Sequence, residues 1–336
     1  MKKKYGKSYK NIFKHKKSFY NDNIGELKKI QRINSIYIKG PARKKCKICE
    51  NTISKFDFVS HKVNYVFCKN CGHLNGQSEE TKLFFEKLYH IQSAKNPNSV
   101  YTKEKYISRV KDIYIPKLNF LLSTTKKISG ILDFGSGAGY FINACKYKKI
   151  NSYGVENDIA MQKLSEKFNK KKNVKVNNYL ELINFAKKKN LNCLSAINVI
   201  EHLENPNEFL EFFIKSDMKY LFISVPLVSF SILLEHCNQD IFPKQLGGAH
   251  THLFSKKSLN FLFKKYNLKI LSEWWFGTDI PDLFRVIYVK NRFYNKKTFS
   301  KFLDEYLINQ IDDLQQVFNK FEKSQEVHIV LSKNDK

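Results

Sequence analysis

Ile131-Leu132-Asp133-Phe134-Gly135-Ser136-Gly137-Ala138-Gly139 is the stretch that decides the fold class. A short apolar run ends in three alternate glycines and continues into 140–146, which reads as a helix, so strand, tight turn and helix follow one another directly. Alternate glycines let the backbone adopt conformations that other residues avoid, and they let a ligand come close to the N–H groups at the helix start. A glycine triplet is by itself a weak signal for a nucleotide. Glu156 strengthens it, because it follows the next expected strand, 152–156, where an acidic side chain can accept hydrogen bonds from ribose hydroxyls in doubly wound folds.

Beyond this turn, short apolar runs alternate with helical stretches, the pattern of βαβ units around a parallel sheet. Expected strands are 130–134, 152–156, 174–176, 194–199, 220–225, 269–274, 285–289 and 327–331, which makes 129–336 one α/β domain. Residues 297–323, rich in Lys, Asp and Gln, read as an amphipathic helix inserted before the last strand. Before the glycine turn, 79–128 read as a helical connector that could serve as a lid, with Leu83, Phe84 and Leu88 on one stripe and Ile107, Val110, Ile113, Leu118 and Leu121 on another. Self-similarity at a fixed period is absent.

Further towards the amino terminus stand Cys46-Lys47-Ile48-Cys49 and Cys68-Lys69-Asn70-Cys71, two C-x2-C pairs separated by 18 residues. This spacing is that of a zinc ribbon: each turn brings two thiolates to one ion, and two turns complete a tetrahedral S4 shell. Gly72 suits the backbone reversal such a turn needs. A Zn2+ whose four positions are filled by protein is structural, so 41–78 is expected to be a small zinc-binding module and not a reaction centre.

The chain of 336 residues carries 59 Lys+Arg against 31 Asp+Glu, a net charge of +28. That excess alone would suggest nucleic acid, an anionic surface or an anionic substrate. Only five of the 59 are Arg, however, and bidentate recognition of phosphates and bases favours Arg. The first fifty residues hold 16 basic and 3 acidic side chains, and 1–40 show no sustained period, so they read as a basic flexible arm that is either solvated or in contact with RNA. The most apolar stretch, 220–234, is too short for a membrane span and is interrupted by Pro226, and the lysine-rich start lacks the apolar run of a signal peptide. A cytoplasmic protein is expected, in which seven cysteines serve as metal ligands or buried thiols.

With these residues in view, the chain resembles class I S-adenosylmethionine-dependent methyltransferases. The spacing of Asp133, Gly135, Gly137 and Gly139 is similar to that family's first motif and differs from the dinucleotide G-x-G-x-x-G. Asn198-Val-Ile-Glu201-His202-Leu-Glu-Asn-Pro206 resembles its fourth-strand segment, Phe222-Ile-Ser-Val-Pro226 its fifth strand, and the segment from His250 through His252, Phe254 and Ser255 to Leu259 the approach to its last helix. The order holds over about residues 105–290. The resemblance implies a Rossmann-like seven-stranded sheet with one antiparallel strand. It also implies S-adenosylmethionine as cofactor, with the three glycines beside its methionine portion, Asp133 near its amino group and Glu156 on its ribose. Tyr179 or Leu180 would flank the adenine and Asn198 would line the cofactor site, while Cys193 departs from the family by standing where an Asp is usual.

Methyl transfer is an in-line displacement at a sulfonium carbon, so an enzyme mainly aligns the partners and, where needed, takes a proton from the acceptor. The candidate bases are His202, His250 and His252, with His236 as a further one, because imidazole titrates near neutrality. A second metal site from His236, Cys237, His250 and His252 is an alternative reading of the same histidines. Asn198 lacks the following prolines typical of exocyclic amino methylases, and Cys193 precedes the fourth strand instead of following it as a pyrimidine nucleophile would. Chains that join a zinc cluster to this kind of domain resemble two families, one acting on nucleotide-linked sugars and one on ribosomal RNA. The sugar family's Tyr/His-Glu-His segment is present here only as Ala249-His250-Thr251-His252, which points away from carbon methylation. The expected acceptor is a small molecule, a nucleotide-linked sugar or a surface polysaccharide precursor; the alternative is RNA, gripped by the zinc module and the basic arm.

Overall fold

The computed structural model describes residues 1–9, 23–93, 102–171, 173–176, 178–293 and 310–334. Its strands, numbered along the chain, are β1 Lys2–Tyr5, β2 Phe58–Ser60, β3 Val63–Phe67, β4 Leu74–Gly76, β5 Ile131–Phe134, β6 Ser152–Val155, β7 Cys193–Ile197, β8 Tyr220–Pro226, β9 His252–Leu253, β10 Leu268–Phe276 and β11 Glu326–Lys333. The main sheet has seven strands in the order β1-β10-β11-β8-β7-β5-β6. β5 to β8 are mutually parallel, and β11 runs antiparallel to both β8 and β10. Parallel strands covered on both faces need near-continuous apolar sequence, and all seven residues of β8 are buried. One layer of helices packs Phe120, Phe141 and Leu164 on one face; Phe209, Phe213 and Leu262 fill the other.

Two expected strands are corrected. Residues 174–176 form no strand; Val174 N donates to Gly154 O at 2.8 Å, and the run is too short to extend the edge beyond β6. Residues 285–289 lie inside the helix Asp279–Phe293. There Ile280, Phe284 and Tyr288 recur every four residues, and Asp279 and Asp282 favour the helix start, so the apolar run is one face of a helix. The seventh strand is instead β1, which pairs with β10 from Lys2 opposite Ser272 to Tyr5 opposite Trp275.

The flexible arm is therefore also corrected at its two described stretches. Lys2–Tyr5 can be lysine-rich and still a strand because it sits at an edge: Lys3 pairs with Glu322, and the Lys4 ammonium lies 3.7 Å from the Trp274 ring centroid. Asn23–Tyr37 is a helix whose inward residues Ile33, Asn34 and Tyr37 are hidden in the sequence among lysines. Residues 10–22 lie outside the described residues. So do residues 297–309 of the expected 297–323 helix; within its described part, Ile311–Lys320 is helical.

Among the described residues the connector holds the helices Lys82–Ser93, Lys103–Arg109 and Ile115–Leu122, with a π turn, Val110–Tyr114, before Pro116. In the cysteine module β2, β3 and β4 form an antiparallel meander, and the fourth strand of that small sheet is β9, about 175 residues away in sequence. Leu74 pairs with Leu253 and Asn75 with His252. Cys46, Ile48, Cys68 and Cys71 share one buried cluster with Leu194, Phe209 and Phe254, so the module has no core of its own. Among the described residues no helix is long and apolar enough to cross a membrane.

Candidate active site

β5 brings Asp133 to the carboxyl edge of the sheet, and the three glycines then turn the chain into the helix Tyr140–Tyr147. All three hold positive φ: +67° at Gly135, +51° at Gly137 and +73° at Gly139. They differ in what surrounds them. A Cβ on Gly135 would stand 2.6 Å from a Val199 methyl, and one on Gly139 would run into Ser165 and Asn169, whereas one on Gly137 would meet nothing within 4 Å. The outer glycines thus serve close packing, and the middle one faces open space where a ligand can approach. Its N–H donates to Glu156 Oε2 at 2.7 Å, while Glu156 Oε1 accepts from the Asn157 and Asp158 N–H groups, both at 2.8 Å.

Beneath the turn, Asp133 is buried and accepts a 2.6 Å hydrogen bond from Ser195 Oγ in β7. Burial pushes its carboxyl up to about 7, against the effect of that hydrogen bond. Above it, Tyr106 donates to Ala138 O at 3.0 Å and stacks on Tyr140 and Phe168, with ring centroids 4.6 and 3.9 Å away. Tyr179 stacks on Phe134 and Phe212, and Leu180 beside it is 66% exposed. Asn198, at the end of β7, holds φ +55°; its N–H donates to Ser224 O at 2.8 Å, and its side-chain oxygen accepts from Ser224 Oγ at 3.3 Å.

Next to Asn198, the 3-10 turn Ile200–His202 carries Glu201 and His202. Glu201 is fully buried, neither of its oxygens makes a well-formed hydrogen bond, and burial pushes its carboxyl up to about 8. His202 Nε2 stands 3.9 Å from Glu201 Oε1, and its ring stacks on that of His250 with centroids 4.9 Å apart. Burial lowers the pKa of His202 and brings His250 down to about 3. The ligand atoms of Glu201, His202 and His250 all lie within 4.8 Å of one another. Buried Lys117, whose ammonium is 4.0 Å from Glu326 Oε1, lies near enough to feel the charge of Glu201, and burial lowers its pKa.

In the cysteine module, Cys46 Sγ lies 3.6 Å from Cys71 Sγ and Cys49 Sγ 3.4 Å from Cys68 Sγ, and all four sulfurs fall within 4.8 Å. Thiolates around a tetrahedral zinc stand roughly 3.8 Å apart, so this set fits such an ion. Asn75 Nδ2 donates to Cys46 Sγ at 3.6 Å, and the Gly72 N–H closes the second turn on Cys68 O at 2.7 Å, with φ +70°. All seven cysteines are free thiols.

A family model described as a methyltransferase domain matches residues 106–273, half of the chain and the part that carries the glycine turn, Glu156, Asn198 and all the candidate bases. The chain belongs to the methyltransferases. It is an enzyme of the S-adenosylmethionine-dependent kind, with a four-cysteine cluster near its amino terminus. No curated protein matches this methyltransferase. Solved structures similar to it include an S-adenosylmethionine-dependent methyltransferase from Archaeoglobus fulgidus, 18% identical, covering 69% of this chain and 97% of that one at a TM-score of 0.40. Magnesium protoporphyrin IX methyltransferase from Synechocystis is 9% identical, with 74% and 93% covered and a TM-score of 0.42. Geranyl diphosphate C-methyltransferase from Streptomyces coelicolor is 10% identical, with 69% and 84% covered and a TM-score of 0.39.

In the methyltransferase, Asp133, Gly135, Gly137, Gly139, Glu156 and Asn198 gather at the carboxyl ends of β5, β6 and β7, and the open face of Gly137 fits a bound cofactor. The histidines divide. His202 and His250 share the Glu201 pole, whereas His252 sits in β9 with Nδ1 2.9 Å from His73 Nε2. His236 Nδ1 is bonded to Val59 O at 2.8 Å, so no cluster of His236, Cys237, His250 and His252 forms among the described residues. Sequence reading missed Lys117 and Glu326. Lys117 had a signal, since it occupies a place on the apolar stripe of its helix; Glu326 had none beyond its position at the start of the last strand.

Proposed function

We propose that this methyltransferase transfers a methyl group from S-adenosylmethionine to a small-molecule acceptor, a nucleotide-linked sugar or a surface polysaccharide precursor, in the cytosol. When bound, the cofactor supplies an electrophilic methyl on a sulfonium. Gly137 lets its methionine portion approach the backbone, Asp133 faces its amino group, and Glu156 turns from the Gly137 N–H to the ribose hydroxyls. The acceptor enters over β7 and β8, and its hydroxyl proton leaves at the pole of Glu201, His202 and His250. Zn2+ in the four-thiolate site holds the module rigid and takes no part in the chemistry.

What favours a small acceptor over RNA is that two of the module's cations are already engaged within the protein. Arg43 and Lys47 pair with Glu80 at 2.5 and 2.6 Å, with side chains 8%, 5% and 4% exposed, and Lys47 also donates to Leu203 O at 3.0 Å. Arg43 and Lys47 so engaged cannot meet phosphates, which removes them from an RNA grip, while Lys44, Lys45, Lys55, Lys62 and Lys69 stay exposed. Calorimetry with S-adenosylmethionine and S-adenosylhomocysteine tests the cofactor. Micromolar binding that falls at least about tenfold in Gly137→Val, at a strain of roughly 1–2 kcal/mol, is expected. Unchanged binding in that variant would remove the cofactor assignment. Methylation of nucleotide sugars tests the acceptor, and RNA that binds tightly and is released steeply by salt would replace it.

A further inference from the structure

We propose that Glu201, His202 and His250 form a second metal site, for a divalent transition cation, beyond the carboxyl end of β7. Three observations carry it. The first is the carboxylate: Glu201 is fully buried and both oxygens lack a well-formed hydrogen bond, an arrangement that is costly unless a partner is missing. The second is the tautomers. His202 Nδ1 lies 3.1 Å from Ala249 O and His250 Nδ1 3.1 Å from Gln245 O. A carbonyl oxygen only accepts, so both Nδ1 atoms carry the proton and both Nε2 atoms present a lone pair, as in metal-bound histidines whose outer nitrogen is held by backbone.

The third is delivery. His250 reaches the pole on a loop that turns through Gly247 and Gly248, at φ +77° and +60°. Tyr65 accepts from the Gly247 N–H at 2.6 Å and Asn34 from the Gly248 N–H at 2.8 Å, so the cysteine module and the amino-terminal helix both brace it. The three ligand atoms lie within 4.8 Å of one another.

Two imidazoles and one carboxylate occupy one face of an octahedral cation and leave three positions open. The four thiolates of the other cluster suit a softer ion, so the two sites sort metals by ligand chemistry. At the open positions the cation binds an acceptor hydroxyl and lowers its pKa. The proton passes to water, an oxygen lone pair forms the new O–CH3 bond, and the C–S bonding pair stays on sulfur as a neutral thioether. This step rests on the methyl-transfer reading; the metal site does not.

The test uses the full chain loaded with one equivalent of Zn2+, which the thiolates take first, and then titrated with Mn2+ by electron paramagnetic resonance. One Mn2+ bound per chain is expected, with nitrogen modulation from coordinated imidazole in the pulsed spectrum. Glu201→Gln and His250→Ala should each weaken uptake by at least about tenfold, and His236→Ala should not. Lack of uptake, or bound Mn2+ without nitrogen modulation in the unmodified protein, would overturn the site even if both variants failed to fold; so would uptake that survives in folded variants. S-adenosylhomocysteine binding on the same samples separates the two readings: its loss with Mn2+ uptake intact sinks the methyl-transfer assignment alone.

Discussion

Asp133 is a carboxyl that burial beneath the glycine turn keeps in part protonated up to neutral pH. Its folded pKa of about 7 stands above the ordinary value, so between about pH 4 and 7 the folded protein binds the extra proton. Stability therefore falls as pH rises through that window and is level above it; Asp133→Asn should remove this contribution to the slope in urea titrations at pH 4.5 and 7.5. A cationic cofactor whose amino group lies near Asp133 favours the ionised form. Affinity for S-adenosylmethionine should then increase from pH 6 to 7.5 and level off, with the dependence lost in Asp133→Asn. Calorimetry across that range decides it, and a flat profile in the unmodified protein would separate Asp133 from the amino group. Residue chemistry of this kind was legible in part: the motif located Asp133, but only the fold supplies Ser195 as its partner and the burial that moves its proton.

At the scale of elements, the strands of the parallel sheet were readable because burial on both faces writes itself as short apolar runs, as in β5, β7 and β8. β1 was not readable. An edge strand is stabilised by backbone pairing and by what its side chains cover, and here lysines do the covering: Lys4 over Trp274, Lys3 against Glu322, and the Trp274 indole N–H on Gly6 O at 2.7 Å. A variant lacking residues 1–9 should remain a folded methyltransferase but melt about 2–8 °C lower, consistent with a loss of roughly 1–2 kcal/mol, and exchange amide hydrogens faster along β10. An unchanged melting temperature would mean that β1 is ornamental. The helix Asp279–Phe293 shows the opposite limit: the four apolar residues at 286–289 fit either period, and the tertiary packing of buried Arg285, which donates to Phe242 O at 2.9 Å, selects the helix.

For the whole molecule, the cysteine pairs announced a separate module, and the geometry of the four sulfurs agrees with that reading of the spacing. What spacing cannot express is that the module's sheet is completed by β9 and its buried cysteines by the methyltransferase core. A chelator that strips the proposed Zn2+ should therefore loosen more than 41–78. Hydrogen exchange should accelerate at 252–254 as well as 74–76, and uptake of Mn2+ at the Glu201 pole should weaken, because Tyr65 no longer braces the His250 loop. Protection at 252–254 that survives chelation would show the two parts to be independent. The same shared sheet has a consequence for synthesis. β4 leaves the ribosome about 175 residues before β9, which at roughly 5–20 residues per second is an interval on the order of 10–35 s. During that interval the nascent chain presents Leu74 and Asn75 as an unpaired edge, so the cell must keep the newborn amino-terminal third from pairing with a neighbour until its own last strand arrives.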